Sequence, residues 1–107
     1  MRKILAIDDN KDNLISLEAI INYSFPDVSF ISALDGHTGI DLAVSEDPDV
    51  ILLDIVMPKM DGYEVCRRLK LDENTKNIPV VFLTAITGDK ESRIKALEVG
   101  AEAFLSK

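Results

Sequence analysis

Val50-Ile51-Leu52-Leu53-Asp54 is a run of four apolar residues stopped by a carboxylate. A strand with one wet face alternates apolar and polar residues. One that is apolar at every position is covered on both faces, as parallel strands are by the helices of their crossovers. Asp47-Pro48-Asp49 ahead of it has the composition of a turn, and Met57-Pro58 behind it bends the chain away. The segment is therefore expected to be an interior strand of a parallel sheet that ends at Asp54.

The same pattern repeats on either side. Residues 3–7 form a short apolar run that stops at Asp8-Asp9-Asn10, the first strand. Leu14, Leu17, Ile20, Ile21 and Ser24 then recur at helical spacing over residues 11–24, with Asn10 or Asp12 available as N-cap. Phe25-Pro26-Asp27 breaks this helix, residues 28–32 read as a second strand and residues 36–44 as a second helix. Past Asp54, a third helix begins near Asp61-Gly62 and carries Tyr63, Cys66, Leu69 and Lys70. Pro79 opens a fourth strand over residues 80–83 that ends at Thr84-Ala85. A helix with Ile94, Ala96 and Leu97 follows and stops at Gly100; residues 103–106 form a fifth strand ending at Lys107. Unbroken βα alternation over residues 1–107 implies one α/β domain with a parallel sheet and right-handed crossovers.

Composition narrows the function. At 107 residues, 47% hydrophobic and 29% charged, the chain has the make-up of a single soluble domain that buries roughly two-thirds of its unfolded surface. Its net charge of -7 disfavours a nucleic-acid partner, since duplex binding needs a basic surface. No apolar run is long enough to cross a bilayer and no leader opens the sequence, so a cytoplasmic location is expected, away from membranes. The single Cys66 makes an internal disulfide impossible. Cys66 and Tyr63 read as packing positions, His37 as surface, and Lys59, Lys70, Lys76 and Lys90 as a solvated face.

The chemistry lies in where the polar residues fall. Asp8-Asp9, Asp54, Thr84 and Lys107 all stand at the carboxyl ends of predicted strands, which share one edge of a parallel sheet. Ligands of open α/β sheets bind at that edge, in the crevice where strand order reverses. Three carboxylates gathered there repel by about 4 kcal/mol per pair at roughly 4 Å in an effective dielectric near 20. With Lys107 counted, three negative charges and one positive leave a formal −2, which suits one hard divalent cation, best Mg²⁺. The absence of His and Cys at these ends disfavours zinc and copper. A carboxylate can attack phosphorus to give an aspartyl phosphate, and Asp54, alone at the end of a central strand, is the natural nucleophile. Mg²⁺, Lys107 and the Thr84 hydroxyl would then face the phosphoryl oxygens.

The set Asp8-Asp9, Asp54, Met57-Pro58, Asp61-Gly62, Thr84-Ala85, Gly100-Ala101 and Lys107, in this order and spacing, resembles the receiver domains of two-component response regulators over essentially the whole chain. The resemblance implies a doubly wound five-stranded sheet of order 2-1-3-4-5 with helices on both faces. It implies that Asp54 takes a phosphoryl group from a phosphohistidine on a sensor histidine kinase or phosphotransfer protein. Asp9, Asp54 and the Val56 carbonyl would ligate Mg²⁺, with Asp8 acting through a bound water. Thr84 and Phe104 would form the switch, Thr84 moving toward the phosphoryl group as the ring turns inward, and the surface of helix four and strand five would carry the signal. Phe104 lacks the hydroxyl of the Tyr more usual in the family.

Receivers normally continue beyond the Lys with Pro and a fifth helix, so this chain is expected to be a C-terminally shortened receiver from a longer protein, with an output domain beyond Lys107. The opening Asp8-Asp9-Asn10-Lys11-Asp12-Asn13-Leu14 is similar to receivers joined to histidine kinases or cyclase-type outputs. Such a domain is not an enzyme; it accepts and loses its own phosphoryl group. Val56 and Ile86, two residues after the acceptor and the Thr, are the positions that govern water access in the family, and both are apolar here. A haloacid-dehalogenase-type phosphatase would place Asp-x-Asp after its first strand, whereas Asp8 and Asp9 are adjacent. A pseudo-receiver would have lost an acidic or Lys position, and none is lost.

Overall fold

In the computed structural model, which describes residues 2–84 and 90–106, strands and helices alternate in chain order. They are β1 (Arg2–Ile7), α1 (Lys11–Ser24), β2 (Val28–Ala33), α2 (Gly36–Glu46), β3 (Val50–Leu53), α3 (Gly62–Leu71), β4 (Val80–Thr84), α4 (Lys90–Glu98) and β5 (Ala103–Ser106). Every strand pairing is parallel, in the order β2-β1-β3-β4-β5, so the reversal lies between β1 and β3. The fold class read from the sequence is the one found. Boundaries differ by a residue or two: α2 continues to Glu46 because the Asp47 amide still donates to the Ala43 carbonyl (3.2 Å), and Asp47 itself, at φ 47°, ends the helix.

The interior position of the central strands shows in their burial. Leu5, Ala6 and Ile7 are consecutive and at most 1% exposed, which requires cover on both faces of β1. Ile51, Leu53, Val80 and Phe82 pack with Ala43 of α2, Val65, Cys66 and Leu69 of α3 and Ala96 of α4 in one cluster. Leu14 and Ile21 of α1 are buried outside that cluster. Ile20, placed on the same apolar stripe by its spacing, is 62% exposed. One residue is a 100° turn of the helix, so burying Ile21 carries Ile20 off the contact.

Lys70 is not part of a solvated face. Its ammonium donates to the Ile78 carbonyl (2.8 Å), the Lys76 carbonyl (3.3 Å) and Glu102 Oε1 (2.9 Å), while Glu102 Oε2 accepts from the Val80 amide at 2.6 Å. The Glu102 amide in turn donates to the Val80 carbonyl at 2.9 Å. These bonds join the end of α3 to the starts of β4 and β5, at the edge of the sheet opposite the acidic residues.

Candidate functional site

The backbone ladder carries the acidic residues to one place. Ile7 and Leu53 are register partners of β1 and β3, and the Asp54 amide donates to the Ile7 carbonyl at 2.9 Å. The Asp8 amide donates to Ala33 of β2 at 3.1 Å, so both aspartates are held by sheet hydrogen bonds one residue past their strands. Asp8, Asp9 and Asp54 each offer an oxygen within 4.8 Å of the others. Asp8 and Asp54 are 7% and 8% exposed, whereas Asp9 is open to solvent. The cluster lies at the switch point of the sheet, where the sequence put it.

Neighbouring bonds fix the Asp8 carboxylate. Oδ1 accepts from the Asn10 amide at 2.9 Å and Oδ2 from Asn13 Nδ2 at 3.3 Å. Asn10 is also the N-cap of α1, its side-chain oxygen accepting from the amides of Asp12 (2.9 Å) and Asn13 (3.3 Å). The first turn of α1, with the positive end of its dipole, is thereby set beside the acids. Of the two candidate caps, Asn10 is the one used.

The loop after Asp54 is anchored by apolar residues and bent at one point. Ile55, Met57 and Met60 are buried, at 3%, 7% and 6% exposure, and Val56 between them stands 62% exposed beside the acceptor. The Met60 amide donates to the Pro58 carbonyl (2.8 Å) around Lys59, whose φ of 69° makes this a tight γ-turn in a conformation costly for a residue with a Cβ. The chain returns through Gly62, whose amide donates to the Ile55 carbonyl at 2.7 Å, and Asp61 caps α3 by accepting from the Glu64 amide at 2.9 Å.

Phe104 is half-buried on β5, in register with the fully buried Phe82 of β4, and packs against the core. Thr84 ends β4 opposite Ser106, its side chain lying outside the described residues, as do Ile86 and Lys107. The contact that the sequence did not disclose is Gly62 against Asp54; the Asp-Gly dipeptide read only as a helix start.

A family model described as the response regulator receiver domain matches residues 4–107. The chain belongs to the response regulator receiver family. Receivers act in two-component signalling, where they meet histidine kinases or phosphotransfer partners, and they bind Mg²⁺ through an acidic pocket. The receiver is 47% identical over 105 residues to the response regulator PleD of Caulobacter vibrioides, covering 98% of this chain and 22% of PleD. Among solved structures it is similar to the Vibrio cholerae chemotaxis protein CheY4, with a TM-score of 0.91 and 27% identity over 100% of this chain and 87% of that one. It is also similar to the phosphorylated cyanobacterial phytochrome response regulator RcpA, at TM-score 0.85 and 25% identity, covering 99% of this chain and 80% of that one. The all-oxygen cluster of Asp8, Asp9 and Asp54 is a donor set that suits a hard cation such as Mg²⁺. Among the described residues no helix is long and apolar enough to cross a membrane.

Proposed function

We propose that this receiver is a phosphorylation-dependent switch in which Asp54 accepts a phosphoryl group from a phosphohistidine of a sensor histidine kinase or phosphotransfer protein. The observation that carries this reading is the convergence of Asp8, Asp9 and Asp54 within 4.8 Å at the reversal point of the sheet. In the transfer an Asp54 carboxylate oxygen bonds to phosphorus as the N–P bond breaks, the electron pair staying on the imidazole nitrogen. Asp9, Asp54 and the Val56 carbonyl would hold Mg²⁺, and Asp8 would reach it through a water. Bound there, Mg²⁺ supplies positive charge against the crowded carboxylates and the phosphoryl oxygens.

The chain's own groups do the rest. Asn10 and Asn13 keep Asp8 in place by the two hydrogen bonds described above. Lys107 would pair with one phosphoryl oxygen and the Thr84 hydroxyl would donate to another. Movement of Thr84 and inward rotation of Phe104 would then alter the α4/β5 surface that an output domain or partner reads. Such a site accepts one phosphoryl group per chain and hydrolyses it slowly, without turning over a substrate. Incubation with acetyl phosphate and Mg²⁺ tests this reading: the expected product is a single hydroxylamine-labile phosphoryl group per chain. Rapid multiple turnover of the donor would instead point to a phosphatase, and no labelling to a purely structural interaction module.

A further inference from the structure

Asn13, the third residue of α1, is turned back onto the acidic cluster. Asn10 caps the helix by accepting from the amides of Asp12 and Asn13, which sets the first turn over the loop that carries Asp8. From there Asn13 Nδ2 donates to Asp8 Oδ2 (3.3 Å) while the Asn10 amide donates to Oδ1 (2.9 Å), so the plane of the Asp8 carboxylate is held from both of its oxygens. The neighbouring acid, Asp9, is open to solvent. Beside this pair, Asp8 and Asn13 line a cavity of about 260 Å³ with Ser16, Leu17, Ile20 and Leu83. Close packing does not fix the carboxylate on that side, and once freed from Asn13 it has room to turn.

We infer that Asn13 is a positioning residue which, by holding Asp8, makes the acidic cluster discriminate Mg²⁺ from Ca²⁺. Mg²⁺ demands near-ideal octahedral geometry at short distances, whereas Ca²⁺ accepts more oxygens in flexible arrangements and takes a carboxylate by one oxygen or by both. A carboxylate of fixed direction suits the first ion, and one free to turn suits the second. The Asn10 donor belongs to the main chain and is present whatever the side chain there, so the Asn13 amide is the part of this restraint that a side chain supplies. The inference rests on the reading of Asp8, Asp9 and Asp54 as a Mg²⁺ site, and concerns which cation that site prefers rather than the transfer of the phosphoryl group.

Titration of the unphosphorylated chain with magnesium chloride and with calcium chloride, followed by amide shifts in NMR, gives both dissociation constants and shows in the same spectra that the fold is kept. Asn13→Leu, similar in size and without a donor, is expected to weaken Mg²⁺ binding about tenfold, as loss of a hydrogen bond to a metal-site carboxylate does. Ca²⁺ binding is expected to weaken by less, so that the preference for Mg²⁺ falls. Asn13→Ala, which cannot crowd the first turn of α1, is expected to do the same. In an Asp8→Ala background the change at Asn13 should add nothing to the loss, because it acts through the Asp8 carboxylate. Unchanged Mg²⁺ affinity in both Asn13 variants, equal losses for the two cations, or a further loss on top of Asp8→Ala each overturns the inference. A parent whose amides respond to neither cation overturns the reading of the cluster as a cation site, and the inference with it. Failure of Asp54 to label would overturn the acceptor reading and leave these affinities untouched.

Discussion

The backbone of Gly62 lies so close to the carbonyl of Asp54 that a Cβ on Gly62 would stand 2.2 Å from that oxygen and 2.8 Å from the Ile55 Cα. Both obstacles are backbone, so neither can swing aside as a side chain could. Alanine at the start of a helix would gain at most about 1 kcal/mol over glycine from propensity. Overpacking of this kind costs about 1–3 kcal/mol, and the clash is expected to win. Gly62→Ala should lower the urea unfolding midpoint and slow labelling of Asp54, since whatever yields moves the acceptor. Unchanged or raised stability would mean that the loop relaxes freely.

The Lys70–Glu102–Val80 bonds join three elements with charge-assisted hydrogen bonds, one of them to the amide of a fully buried residue. Removing Glu102 strands the Val80 amide and takes one acceptor from Lys70. The side chain of Glu102 is half exposed, so water recovers part of the loss. Glu102→Ala is expected to cost about 2 kcal/mol in urea unfolding, and Glu102→Gln, which keeps an oxygen for Val80, less. Equal costs for the two would place the effect elsewhere than in these bonds.

Much of this molecule was legible in the sequence because its strands are buried on both faces. Val50–Leu53 and the run ending at Ile7 read as strands without any alternation, and the first polar residue after each marks the sheet edge. Those two stops alone place Asp8, Asp9 and Asp54 at one edge of the sheet. Lys70 reads as solvated in the sequence because helical spacing gives a direction and no partner, and its partner Glu102 lies 32 residues away. Nor could the pattern tell Ile20 from Ile21, both apolar and adjacent, only one of which α1 can press into the domain. The wedge of Gly62 on Asp54 depends on the path of the intervening loop, which turns on the positive φ of a single lysine.

Burial pushes the Cys66 thiol from its ordinary 9.0 up to about 11, the nearby Lys70 charge opposing this only in part. The folded state therefore keeps the thiol neutral where the unfolded chain has begun to ionise. Its contribution to stability is present below pH 9 and is lost as pH rises toward 11. Over that window the parent should lose about 2–3 kcal/mol more than Cys66→Ala, compared as slopes of unfolding free energy against pH. Parallel slopes would show that the thiol ionises as easily in the fold as outside it.

Val56 stands exposed beside Asp54 and has no group with which to align an attacking water. Ile86, expected from the sequence to act with it, lies outside the described residues. Slow loss of the phosphoryl group is the expected consequence. Val56→Asn combined with Ile86→Glu should speed decay of phosphorylated Asp54 by roughly tenfold, about 1.4 kcal/mol of barrier. Decay is followed in Mg²⁺ with no kinase or phosphatase present, and an unchanged rate would remove these side chains from control of the lifetime.

Asp54 as the acceptor is the claim on which the rest depends. The measurement that tests it most directly is intact mass after incubation with Mg²⁺ and acetyl phosphate, made on the parent, Asp54→Asn and Asp8→Asn. The parent should gain one phosphoryl group, Asp54→Asn none, and Asp8→Asn one at a lower rate, with all gain abolished by chelating the metal. Labelling of Asp54→Asn as efficient as that of the parent would contradict the assignment.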